Sequence, residues 1–572
     1  MNKKFFINLN KIKKENFMMR LKFFFPWLVC LFFYVKITGD QGPRLTVIIV
    51  VDQCAYRYMQ LYGPYFKWGL RKLLEQGVCY ADAYFPHAMP ATGTGHTALA
   101  TGTYATDHGI VGNGWLTRQG VSVACDQDDR PEAAVFDPNG GIYDEGKSPH
   151  YIKMPGISDS FVLHARPGRA CHAYSVSGKS RAAICTATNL GKAIWFDTRS
   201  GMFTSSKAYF DELPEWLCDF NEQHCSSWPI TLLWAPVYDL EKQAYSFYHT
   251  YNYTATRISS SFVGSLIPLT GKNQKTPFSV FEKTPMASEL LVKLAKTCIK
   301  EHIERHSDDR LLLWVCISNL DKIGHSVGPN SIEVIDTLYH LDYQINDLML
   351  YAQKKAGRKS TCFVLTADHG MAPIPELAHE EGIKTAQRVD KKEFMEDIND
   401  MLEEKFGIAD CVKHCKMPSI YFNPAAFIGR SRQEIATIIY ATKQYLMAKP
   451  YVKMVWTYEE LRHLPFVPGQ IEYYYKQQLF PGRTGDLIVQ VYPYVIVTRY
   501  KVGDSHKTPY ECDTHVPLIV YYPGHFERKL ITQRVITLQL ANTLAHILRI
   551  PHPQGSTCEV LPGLFDPEIP WL

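Results

Sequence analysis

Four short, largely apolar runs punctuate the chain: RLTVIIVV (44–51), LLLWVCIS (311–318), TCFVLT (361–366) and VPLIVYY (516–522). Each is rich in β-branched or aromatic residues and lacks polar alternation, the pattern of a strand buried on both faces. Shorter strand-like pieces occur at Val78–Phe85, Ala173–Ser177 and Ala193–Asp197, and DLIVQVYPYVIV (486–497) is another. Between them, apolar residues recur at helical spacing over Phe66–Gln76, Met286–Arg305, Ser331–Ala352, Arg432–Met447 and Arg534–Leu548. Strand, helix, strand in repetition predicts an α/β fold with a mostly parallel central sheet flanked by helices, in which ligands gather at the carboxyl ends of the strands.

The rhythm is interrupted twice. From about 113 to 285 the chain turns aromatic-rich and is broken by Pro and Gly, and residues 373–480 form a second departure; both read as insertions in one unit spanning 44–572. Residues 1–40 stand apart. Lys3, Lys4, Lys11, Lys13, Lys14, Arg20 and Lys22 precede an apolar run from Phe23 to Val35, which is short for a membrane span and suits the core of a secretory signal. Without a clear small-residue cleavage site, an uncleaved N-terminal anchor is the alternative. Either way the body is exported, periplasmic or secreted, with 23–35 as its means of membrane attachment if the leader stays.

Charge gives nucleic-acid binding no support. Of 61 Lys+Arg and 57 Asp+Glu, eight and two fall in residues 1–40, which leaves 53 basic and 55 acidic residues in the body. So balanced a charge gives no footprint for nucleic-acid binding. The 15 cysteines are scattered. Cys218/Cys225 and Cys411/Cys415 are close enough in sequence for disulfides in an exported protein, whereas Cys316 and Cys362 lie in apolar runs as buried thiols. No C-x-x-C pair occurs, so no cysteine zinc site is expected.

Chemistry concentrates after the strands. The stretch HAMPATGTGHTALATGTYATDHGIVGNGW (87–115) crowds Thr, Gly and His behind an apolar run, and a helix beginning over Thr97–Thr101 would aim unpaired N–H groups at an anion beside Thr92. A capped turn would give the same composition. Asp52, Asp321, His325, Asp368, His369 and His506 all follow predicted strands. One Asp after a strand is usually a helix cap, but six carboxylates and imidazoles at successive strand ends can supply two three-residue metal sites. Asp321 and His325 share a face if their turn is helical, while Asp368 and His369 need an irregular turn to diverge towards two ions. Mixed carboxylate and imidazole donors suit zinc, with another divalent metal as the alternative.

The ordered set ATGTGH with HGIVGNGW, SVSGKSRAAI, WFDTRSGMFTSS, LDKIGH, TADHG and HKTPYECDTHVPLIVYY resembles the alkaline phosphatase superfamily. Within it, the set is most similar to the exported, phosphate-irrepressible alkaline phosphatases with a threonine nucleophile, which are related to the type I phosphodiesterases and nucleotide pyrophosphatases. The resemblance implies two Zn²⁺ ions. Asp52, Asp368 and His369 would hold the one that also contacts Thr92, the nucleophile, and Asp321, His325 and His506 would hold the other. Asn113, Lys179 and Arg181 would bind phosphoryl oxygens, and His96 and His108 would be structural. The Lys/Arg pair marks monoesterases, so small-molecule phosphate monoesters are the implied substrates and a phosphothreonine the implied intermediate. A diesterase on the same scaffold and a non-catalytic exported binding protein are the competing readings. Two positions depart from the pattern: Thr94 replaces a usual Pro, and Lys507 replaces a usual Gly after the ligand histidine. His515 in DTHVP competes with His506 for the last metal position.

Overall fold

The computed structural model describes residues 42–117, 119–246, 262–268, 275–305, 308–465 and 467–565. The leader, with its apolar run 23–35, lies outside them. Among the described residues no helix is long and apolar enough to cross a membrane.

A nine-stranded sheet runs through the centre in the order Met202–Thr204, Lys192–Asp197, Cys171–Ser177, Arg310–Ile317, Leu45–Val51, Thr361–Thr366, Leu518–Tyr521, Val78–Tyr80 and Lys529–Ile531. From Lys192–Asp197 to Thr361–Thr366 the five neighbours are parallel, as the buried apolar runs predict. Three strands, 171–177, 192–197 and 202–204, come from the span 113–285, so part of that expected insertion belongs to the central sheet.

All seven residues of Leu45–Val51 are buried, and they divide by parity. Leu45, Val47, Ile49 and Val51 face one core with helices Gly69–Gln76, Pro285–Ile299 and Ile332–Ala356. Ile48 and Val50 face the other core with Thr92–Thr101 and Gln539–Leu548. A period of two on a strand sandwiched between helices gives this split.

Register then fixes where the strands end. Val51 pairs with Ile317, Val50 with Thr366, and Cys316 with Ser177, so four parallel strands stop on one line. Asp52, Lys179, Asp321 and Asp368 follow those ends within a few residues. The second expected insertion shares a core with the chain just beyond residue 480, behind a four-stranded antiparallel sheet ordered Val412–Lys416, Ser419–Phe422, Leu487–Val491 and Val452–Thr457. Its helix Arg432–Met447 has the expected bounds and opens on a Ser431/Glu434 capping box.

The fourteen described cysteines are all free thiols, which corrects the expected disulfides. Cys218 and Cys225 lie two turns apart on one helix, about 10 Å along its axis. Cys411 and Cys415 are separated by about 13 Å of extended chain. Both spans exceed the reach of a disulfide.

Candidate two-metal active site

The helix expected from Thr97 already begins at Thr92. Ala91 is extended and acts as its N-cap, all ten helical residues are buried, and Thr97 and Thr101 donate their hydroxyls back to the carbonyls of Gly93 and Thr97 at 2.7 and 2.8 Å. Thr92 is therefore the first residue of a buried helix. Its neighbour's N–H is held from outside: Gly93 N donates to Asn113 Oδ1 at 2.7 Å, which ties the two ends of the 87–115 stretch together.

Packing demands the glycines. A Cβ on Gly95 would meet the Cβ of Asp368 at 2.7 Å and its main-chain oxygen at 2.8 Å. A Cβ on Gly93 would meet Cys125 Sγ at 2.7 Å. The helix thus lies directly on the loop that carries Asp368.

Asp321 and His325 share a face of helix Asn319–Val327, with His325 Nε2 3.2 Å from Asp321 Oδ1. The same oxygen lies 3.6 Å from His506 Nε2 and 3.9 Å from His369 Nε2. Each of the three rings turns its Nδ1 to a main-chain carbonyl: His325 to Asp504 at 2.8 Å, His506 to Pro90 at 2.8 Å and His369 to Gly370 at 2.9 Å. A ring donating through Nδ1 keeps a lone pair on Nε2, the tautomer of a metal ligand. Burial, then His369, holds His506 well below the ordinary histidine range, so it is neutral.

Asp52 and Asp368 form the adjoining group, with His96 between them: its Nε2 lies 3.4 Å from Asp52 Oδ1 and its Nδ1 3.4 Å from Asp368 Oδ2. His96 also donates from Nδ1 to the Thr92 carbonyl at 2.9 Å. Setting His96 aside with His108 therefore missed its position. A residue one helical turn after Thr92 must share its face, and that spacing is the signal in the sequence. His108 sits elsewhere, buried beside His87.

The groups that converge here by atom proximity are Asp321, His369 and His506, and Asp52, His96 and Asp368. His369 stands between the two groups, with its Nε2 nearer to Asp368 Oδ2 than to Asp321 Oδ1. His369 Nε2 lies 3.3 Å from Asp368 Oδ2, so the two groups share a wall. Of the two candidate histidines, His506 reaches the cluster. His515 stacks on Tyr56 and Tyr84 and pairs its Nε2 with the Ala81 carbonyl at 2.9 Å.

Lys179 reaches both groups. Its Nζ donates to Asp52 Oδ2 at 2.8 Å and to Asp321 Oδ2. Burial pushes its pKa down, but Asp321 and Asp52 outweigh it and raise the value. Burial also opposes the charge on Asp321, yet His325 and Lys179 hold that carboxyl well below the ordinary range. Burial and then Asp368 push the Asp52 carboxyl up. Arg181 follows on the helix Ser180–Ala187, and its buried Nε has no hydrogen-bond partner.

Whether a metal fits can be tested on the donors. Asp52 Oδ1, Asp321 Oδ1, Asp368 Oδ2, His96 Nε2 and His369 Nε2 are buried without a hydrogen-bond partner. Three buried carboxylates face a single ammonium. Buried polar atoms are otherwise paired, and buried charges are paired or hold metal. The donor set fits divalent cations.

Comparison with known proteins gives the family and the fold. The sequence profile of the type I phosphodiesterase/nucleotide pyrophosphatase family matches residues 46–515. Among curated proteins, the alkaline phosphatase PafA of Elizabethkingia meningoseptica is 26% identical over 535 residues, covering 91% of this chain and 94% of its own. The alkaline phosphatase PhoD of Zymomonas mobilis is 29% identical over 537 residues, covering 90% and 87%. The crystal structure of wild-type PafA superposes with a TM-score of 0.75 at 22% identity, covering 91% of this chain and 98% of that one, and so shares the fold.

Proposed function

The chain belongs to the type I phosphodiesterase/nucleotide pyrophosphatase family of the alkaline phosphatase superfamily, and from that premise we propose that it is an exported phosphatase that hydrolyses small phosphate monoesters through Thr92. One observation carries the reading. Three imidazoles with anchored Nδ1 atoms surround a buried carboxylate, and one of them, His506, is anchored on the Pro90 carbonyl two residues before the buried Thr92.

Residues 44–572 act as the catalytic unit, with 1–40 as signal or anchor and the spans 113–285 and 373–480 shaping access. Asp52, Asp368 and His369 would hold one ion beside Thr92, and Asp321, His325 and His506 the other. Zinc bound there would lower the pKa of the Thr92 hydroxyl and offset charge on the leaving oxygen. Thr92 Oγ1 forms a bond to phosphorus as the ester P–O bond breaks and the alcohol leaves. Water then cleaves the phosphothreonine, releases inorganic phosphate and restores the hydroxyl. The N–H groups at the helix start favour the phosphoryl oxygens. Arg181 offers a planar fork and Asn113 a neutral donor, while Lys179 adds a point charge. The two carboxylates that Lys179 now contacts are those that bound cations would neutralise, which frees Nζ for the phosphoryl group.

The test pairs substrate with variant. At alkaline pH the purified protein should prefer an aryl phosphate over a bis-aryl phosphate and an aryl sulfate; preference for the diester would give the site to a diesterase. Thr92→Ala should abolish turnover with bound metal unchanged, and surviving turnover would move the nucleophile elsewhere.

A further inference from the structure

A cavity of about 490 Å³ opens beside the site and shares Asn113 and His506 with it. Four cationic side chains line it: Lys391, Lys416, Arg499 and Lys507. No Asp or Glu does, and the remaining wall is largely apolar or hydroxyl-bearing. The second inserted region supplies Lys391 and Lys416, and the chain that follows it supplies Arg499 and Lys507. Lys391 opens the helix Lys391–Phe406, Lys416 ends the strand Val412–Lys416, and Arg499 follows the strand Val495–Thr498.

Elsewhere in this region cations find carboxylates. Lys392 pairs with Glu396, Lys443 with Glu460 and Lys449 with Asp397. Among the described residues, none of the four cavity cations is paired with a carboxylate; Lys416 Nζ reaches only Ser122 Oγ at 3.0 Å and the Trp115 carbonyl at 3.5 Å. Burial, then Lys391, pushes Lys416 down, and burial and Arg499 lower Lys391. Converging like charges without a counter-charge destabilise the empty cavity and favour an anion inside it.

We infer that this cavity binds a second phosphate of the substrate, so that the enzyme prefers phosphate monoesters that carry a further phosphate group on the same small molecule. The monoester enters between Asn113, Lys179 and Arg181, and the second phosphate lies against Lys391, Lys416, Arg499 and Lys507. This rests on the monoesterase reading above. It goes beyond that reading in assigning a second anion site to residues of the inserted region and of the chain that follows it.

The experiment compares a hexose monophosphate with a hexose bisphosphate on the metal-loaded protein at low salt. The wild type should turn over both, with a kcat/KM at least about tenfold higher for the bisphosphate, or about 1.4 kcal/mol. The double variant Lys391→Ala/Arg499→Ala should raise KM for the bisphosphate about tenfold while leaving its kcat and both constants for the monophosphate unchanged. Lys391→Arg should keep the wild-type preference. Equal kcat/KM for the two substrates in the wild type, or an equal loss on both in the double variant, overturns the inference and leaves the monoesterase reading standing. No turnover of either substrate by the wild type overturns both.

Discussion

At the scale of single residues, contact distances give the glycines and one lysine their meaning. Gly95 permits the helix Thr92–Thr101 to rest on the Asp368 loop, where any Cβ would fall 2.7 Å from that of Asp368. Gly95→Ala is expected to cost about 1–3 kcal/mol through overpacking and to lower bound metal, because Asp368 must move. Urea unfolding with metal analysis checks this; full metal content in a destabilised variant would separate the helix contact from the ligand loop. Lys507 has a φ of +130°, a region where glycine is at ease and other residues are strained. The sequence resemblance expected Gly there, and the backbone keeps glycine's conformation while its side chain lines the cationic cavity. His96 shows the opposite lesson: its identity and spacing were plain in the sequence, but the proximity of Asp52 and Asp368 was not.

Elements are held in place by polar contacts that sequence periodicity does not reveal. Helix Gly69–Gln76 lacks a local side-chain cap. Asp342, from the middle of helix Ile332–Ala356, takes that role by accepting from Lys67, Leu70, Trp68 and Arg71 N–H groups at 2.7, 2.7, 3.0 and 3.3 Å. A carboxylate there also meets the positive end of the helix. Asp342→Ala should therefore lower stability by about 3 kcal/mol, the cost of stranding buried N–H groups. Since this contact is remote from the site residues, kcat on an aryl phosphate should hold at temperatures where the variant stays folded. A lost kcat with unchanged melting would contradict a purely supporting role. The helix Thr92–Thr101 starts earlier than its sequence suggests, because Thr and Gly have weak helix propensity and burial on all sides stabilises the first turn.

For the whole molecule, the site joins loops from distant parts of the chain, and its charge couples to global stability. Removing divalent ions would leave Asp52, Asp321 and Asp368 with Lys179 as their shared ammonium. A chelator should lower Tm, and zinc at about 100 times its Kd should restore about 2.7 kcal/mol; calorimetry with and without the ion checks this, and an unchanged Tm would count against a metal-holding cluster. Much of this arrangement was legible in the sequence. Unbroken apolar runs determined the buried parallel strands, since only strands covered on both faces lack polar alternation. The position of Asp, Lys and His just after those runs determined that chemistry would gather at one edge. Tertiary structure alone decided the rest. Register brought four strand ends onto one line, and carbonyls of Pro90, Gly370 and Asp504 oriented three imidazoles. Long-range packing chose His506 over His515 and brought the lysines of the second inserted region to the site. Apart from His369 and Gly370, which are neighbours in sequence, those contacts join residues more than a hundred positions apart, and local periodicity carries no record of such distances.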